Sequence, residues 1–150
     1  MRAEVAPATI AQLLLGVVVS LGGCNRPGPG SAEALAGTVM ALAFIQRQLG
    51  DRSREAMALD GAGEAYRELG QPDQAIAFHL RAAAVHRQLG DDWQLALALE
   101  HLAAALIEVG RVEEAHRWWR EAVALLSSFP DPRAQRLRRR VESVLGESAG

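Results

Sequence analysis

Four apolar-glycine pairs stand at a spacing of 20 residues: Leu49-Gly50, Leu69-Gly70, Leu89-Gly90 and Val109-Gly110. Glycine just past a helix takes the left-handed backbone conformation without steric penalty, so each pair marks a helix stop. A stop every 20 residues leaves room for helices of about 16 to 18 residues joined by tight turns. Start signals fall where the stops require them. Asp51 and Asp91 directly follow their glycines as N-cap residues, Pro72 follows Gly70 in a first turn, and Asp131-Pro132 opens a last helix in the same way.

The helices pair into a longer period, because Arg87-Gln88-Leu89-Gly90-Asp91 repeats Arg47-Gln48-Leu49-Gly50-Asp51 at a distance of 40. The repeating unit is therefore a helical hairpin. In the first helix of each unit, Leu59, Ala62, Gly63, Tyr66 and Leu69 precede Leu99, Leu102, Ala103, Leu106 and Val109 by one period. In the second, Ala75, Ile76, His79, Ala82, Ala83 and Leu89 precede Ala115, His116, Trp119, Ala122, Val123 and Phe129. Position 76 matches 116, 79 matches 119, and the small residues recur where helices must approach closely. Residues 52 to 127 are expected to form two complete antiparallel hairpins.

Ala62-Gly63-x2-Tyr66-x3-Gly70-x4-Ala75-x6-Ala82 and Leu102-Ala103-x2-Leu106-x3-Gly110-x4-Ala115-x6-Ala122 resemble the tetratricopeptide repeat signature. The 40-residue unit is similar to the longer variant of kinesin light chains and G-protein-signalling modulators. The stretch from Leu59 to His79 also resembles the C-terminal repeats of actinobacterial regulators that carry a nucleotide-binding switch domain and a DNA-binding domain. The resemblance covers roughly residues 51 to 145 and implies an all-α superhelix of tandem hairpins with a C-terminal capping helix. It implies binding of another protein or peptide rather than catalysis, in the cytoplasm, without a cofactor.

Residues 1 to 31 are a different kind of sequence. The first 50 residues hold only Arg2, Glu4, Arg26, Glu33 and Arg47 as charges, against 13 arginines and 16 acids in the rest. Leu15-Gly16-x2-Val19-x3-Gly23 keeps the spacing of the other first helices, and the segment from Cys24 to Ser31 makes an inserted Pro/Gly loop. An eroded first repeat is one reading, its second helix running from Ala32 to Leu49. The other takes Leu21-Gly22-Gly23-Cys24 as a lipoprotein box, with Cys24 lipidated and the protein anchored in the cell envelope. The repeat domain proper is placed at 32–150.

A net charge of −2 with interspersed signs makes no field to gather nucleic acid or an anionic membrane, so neither is an expected partner. A membrane enters only if Cys24 is lipidated. Arg133, Arg136, Arg138, Arg139 and Arg140 back a helix whose apolar face is Leu137, Val141, Val144 and Leu145, the pattern of a solvated cap on a repeat array. Three short hairpins are also candidates for self-association to finish the stack.

No chemistry is legible. Gly61-Ala62-Gly63 lies mid-helix without the strand a phosphate loop needs. His79 and His86 are two helical turns apart, and His101 and His116 fall in another hairpin, so the histidines are expected as packing or surface residues with no metal. Trp119 falls on a packing position, and Trp118 partly off it.

The family resemblance places the first helix of each hairpin on the concave, peptide-binding side. The residues off the packing stripe there are Asp60, Glu64, Arg67 and Glu68, then Glu100, His101, Ile107 and Glu108. Asp60 and Glu100 are equivalent positions, expected as neighbours in an uncompensated acidic row with Arg67 as the local cation. Such a face suits a basic or amphipathic peptide, with Ile107 as an apolar contact.

Overall fold

The computed structural model describes residues 30–147, and every regular element in them is α-helical. The expected stops hold. Gly50, Gly70, Gly90 and Gly110 adopt φ of +75°, +71°, +69° and +77°. At each turn the glycine N–H bonds back three residues, to the carbonyls of Arg47, Arg67, Arg87 and Ile107. The following N–H reaches five residues back, to Gln46, Tyr66, His86 and Leu106, at 2.9–3.0 Å. These bonds use the carbonyls that a helix end leaves orphaned. One turn chemistry repeated four times gives one turn shape repeated four times.

The starts alternate, with a side-chain cap on the first helix of each hairpin and none at Gln71 or Arg111 before the second. The Asp51 carboxylate accepts from the N–H of Arg54 at 3.0 Å and that of Asp91 from Gln94 at 3.1 Å. Between starts and stops run α1 (Gly30–Gln48), α2 (Arg52–Glu68), α3 (Pro72–Leu89), α4 (Asp92–Glu108), α5 (Val112–Leu126) and α6 (Pro132–Glu147). The two hairpins expected over residues 52 to 127 are α2–α3 and α4–α5. Helix α1 begins at Gly30, two residues before the Ala32 expected of it, and packs on α2 as α3 packs on α4. It thus holds the place of a second helix from a preceding unit. The expectations for Leu15 to Gly23, the Pro/Gly loop before Gly30 and Cys24 lie outside the described residues.

The core runs along the axis of the stack. Ala62, Ala75, Ala82, Ala96, Ala103 and Ala115 are fully buried, and Leu99, Leu102 and Leu106 fill the space their methyl groups leave. Alanine at a contact lets two helices close; leucine beside it removes apolar surface from water at about 25 cal/mol per Å². Tyr66 stacks on Phe78 at 5.2 Å within the first hairpin. Trp119 is buried and Trp118 half-buried, as their positions predict.

Helix α6 closes the end. Ala134, Leu137 and Val141 are buried against the repeats, and Val144 and Leu145 partly so. Three of its arginines pair with acids: Arg140 with Glu100 of α4 at 2.8 Å, Arg138 with Glu142 at 3.6 Å, and Arg133 with Asp131 at 2.8 Å. Arg133 also lies over the Trp93 ring, whose edge meets Phe129. No described helix is long and apolar enough to cross a membrane.

Candidate functional site on the face of helices α2 and α4

Helices α2 and α4 touch each other directly as well as through α3, so their outward residues form one surface. Its centre is Asp60. Its Oδ1 lies 2.6 Å from Nδ1 of His79 on α3, and its Oδ2 lies 2.7 Å from Nδ1 of His101 on α4. An ionised carboxylate only accepts, so both imidazoles donate through Nδ1. The two rings stand 5.6 Å apart, tilted by 48°. His79 is completely buried. It fits because the residue opposite is Gly63: a Cβ there would meet the imidazole at 2.5 Å.

Further carboxylates flank the rings. Glu64 Oε1 is 3.4 Å from His79 Nε2, which makes no hydrogen bond, and Glu100 Oε2 is 3.7 Å from His101 Nε2. Arg67 bridges Glu64 at 2.9 Å and Glu108 at 2.8 Å, joining the two hairpins along their edge.

Burial alone would raise the Asp60 carboxyl, but hydrogen bonds from His101 and His79 more than reverse this and hold it far below the carboxylate range. Burial likewise works against a charge on either ring, yet the bonds to Asp60 outweigh it and push both histidines up. His79, then the charges of His101 and Arg67, keep Glu64 low against the pull of its partial burial.

This geometry corrects the expected row of uncompensated acid. Asp60 and Glu100 are neighbours, but both lie against His101, and Arg140 takes the other oxygen of Glu100. Their side chains are only 18% and 16% exposed, so they face inward to these partners. Arg67 is one local cation among several. What remains outward is Glu64, Arg67, Glu68, Ile107 and Glu108, with His101 at 30% side-chain exposure.

The separation of the histidines by hairpin also fails across the boundary between units. His79 and His101 are 22 residues apart and meet at one carboxylate; with Asp60, each offers a ligating atom within 4.8 Å of the others. The remaining two are packing residues: His86 is buried with Nδ1 unpartnered, and His116 is buried and stacks on Trp119. Metal-ligand spacing within one helix was not the signal. The signal was a buried-stripe position, 79, occupied by histidine where its counterpart 40 residues on is Trp119, together with glycine at 63.

A family model described as tetratricopeptide repeat matches residues 54–128, which are the two hairpins from α2 to the end of α5. The chain belongs to the tetratricopeptide repeat family. No curated protein matches it. The tetratricopeptide hairpin is a protein-interaction scaffold: stacked units present a continuous surface to another protein or peptide. Such repeats act as a rule by holding a partner and not by chemistry. Among the described residues of this tetratricopeptide array, a pocket of about 150 Å³ lies between α1, α2 and α3, lined by Met40, Phe44, Leu59 and Arg81 among others and by none of the Asp60 cluster.

Proposed function

We propose that the chain holds a basic or amphipathic peptide segment of a partner protein on the outward edge of α2 and α4. The observation that carries this reading is the composition of that edge once Asp60 and Glu100, which face inward to the histidines and Arg140, are set aside. Glu64, Glu68 and Glu108 remain outward around Arg67, which both Glu64 and Glu108 already engage, and beside them Ile107 is 37% exposed. Three acids around one arginine, with only Glu64 also facing a histidine, leave a negative edge, and an isoleucine next to it supplies an apolar contact. A peptide carboxylate would be repelled there. A lysine or arginine side chain would be drawn to Glu68 and Glu108.

The test is selection from a random peptide display library against the full chain. Binders enriched in lysine and arginine, and lost with Glu68→Lys plus Glu108→Lys while the helical circular dichroism is unchanged, are the expected result. Acidic binders, or binders indifferent to the double substitution at low salt, overturn the reading.

The narrower kinship, a free-standing relative of the C-terminal repeats of actinobacterial regulators, is supported by the Leu59 to His79 stretch. The envelope alternative is supported by Leu21-Gly22-Gly23-Cys24, and mass spectrometry of the native protein separates the two. A chain beginning at Cys24 with added acyl mass selects the envelope.

A further inference from the structure

We propose that Asp60, His79 and His101 bind one divalent transition-metal ion of the zinc, cobalt or nickel class, clasping α2, α3 and α4. The three side chains come from three successive helices, and one ligating atom of each lies within 4.8 Å of the other two. Two imidazole nitrogens and one carboxylate oxygen are the donor set that borderline cations of this class prefer, with a fourth position left for water or a partner's side chain.

Three features of the surroundings point the same way. The rings already have the orientation a ligated histidine needs: Nδ1 faces the common centre while Nε2 faces a carboxylate, Glu64 at 3.4 Å and Glu100 at 3.7 Å. A carboxylate behind a ligand histidine fixes the ring and raises its basicity. His79 is completely buried, and Trp119 stands in the equivalent place of the next unit, so filling space does not by itself call for an imidazole there. Among the described residues the arrangement occurs once. One period after Asp60 stands Glu100, and one period before His101 stands Gly61, so the trio is no by-product of the repeat.

Ligand atoms about 2.0–2.2 Å from a tetrahedral ion lie roughly 3.3 Å from one another. Asp60, now at 2.6 and 2.7 Å from the two Nδ1 atoms through its two different oxygens, has to withdraw by about 0.6–0.7 Å, and the two rings, whose ligating atoms lie within 4.8 Å of each other, have to close on the ion. Each Nδ1 releases the proton it now donates to Asp60, so uptake of the metal expels protons. Asp60 and His101 are partly exposed and provide the way in. The bound ion would join the first hairpin to the second and so set the relative pose of α2 and α4, whichever partner that face holds.

The experiment is titration of chelator-treated full-length protein with cobalt(II), read by the visible ligand-field bands of the protein-bound ion, and with zinc(II), read by calorimetry and by the thermal midpoint. One ion per chain, a raised midpoint, and at least a tenfold loss of affinity in His101→Asn are expected. Cys24→Ser must retain the site, which excludes a thiolate as its source. His101 is half-buried, so its replacement keeps the test decisive even where His79→Asn does not fold. Absence of saturable binding overturns the proposal, as does unchanged binding in His101→Asn or loss of binding in Cys24→Ser.

Discussion

Asp60 and His79, 19 residues apart on adjacent helices, meet at 2.6 Å between Oδ1 and Nδ1 in a space left open by a glycine. His79 is completely buried, and a buried ring with a charged partner is stable only while that partner is present. Replacing Asp60 with asparagine keeps the shape and removes the charge that both histidines face. The expected cost is about 1.5–3 kcal/mol, the range for hydrogen bonds to charged groups. Urea unfolding of the metal-free protein checks this, and an unchanged midpoint would show that the contact contributes nothing.

Gly63 is the space in that arrangement. A Cβ at this position would come within 2.5–2.7 Å of three imidazole atoms, and the ring is held on its other side by Asp60. Gly63→Ala gains helix propensity of about 1 kcal/mol in an open helix, but here overpacking of about 1–3 kcal/mol opposes it. Net destabilisation is expected, and the double variant Gly63→Ala, His79→Ala should recover part of it. Additive losses in a double-mutant cycle would contradict the contact.

Ala75 and Ala115 stand one period apart, both fully buried where the second helix of each hairpin meets its neighbours. A phenylalanine at either place forces the helices apart. Each substitution should cost about 1–3 kcal/mol by overpacking, and thermal melts of the two single variants would show it. A variant with an unmoved midpoint would mean that its interface has been assigned to the wrong face.

His86 gives a pH dependence of definite sign. Burial holds its pKa below the ordinary value, while the charges of Asp91 and Asp60 pull the other way and do not prevail. A base with a depressed folded-state pKa is protonated first in the unfolded chain, so protons favour unfolding. Its contribution is therefore full above about pH 6.5 and diminishes as pH falls below that value. His86→Leu removes the effect and leaves every other titrating group in place. Between pH 7.5 and 5, the urea midpoint of the natural protein should shift downward relative to that of the variant; parallel shifts would refute the assignment.

The residues that open and close each helix act within five positions of themselves, and they were readable in order along the chain. Asp51 caps Arg54, Gly90 turns back onto Arg87 and His86, and the 40-residue recurrence predicts the hairpin stack, because turn and cap chemistry is local. The face was legible as a set of positions: Asp60, Glu64, Arg67, Glu68, Glu100, His101, Ile107 and Glu108 do lie along α2 and α4. What each of them meets was not legible. Arg140 comes to Glu100 from 40 residues away, Glu108 to Arg67 from 41, and His101 to Asp60 from 41. Charges counted along one helix gave an unrelieved acidic row, whereas the stack brings cations from two other helices onto the same acids. The sequence by itself determined the helices, their turns and their pairing, since those follow from backbone hydrogen bonds closed within a few residues. Only the tertiary structure decided that two histidines of different hairpins share one carboxylate, because electrostatic partners are set by distance through space once helices pack, and sequence separation does not record it.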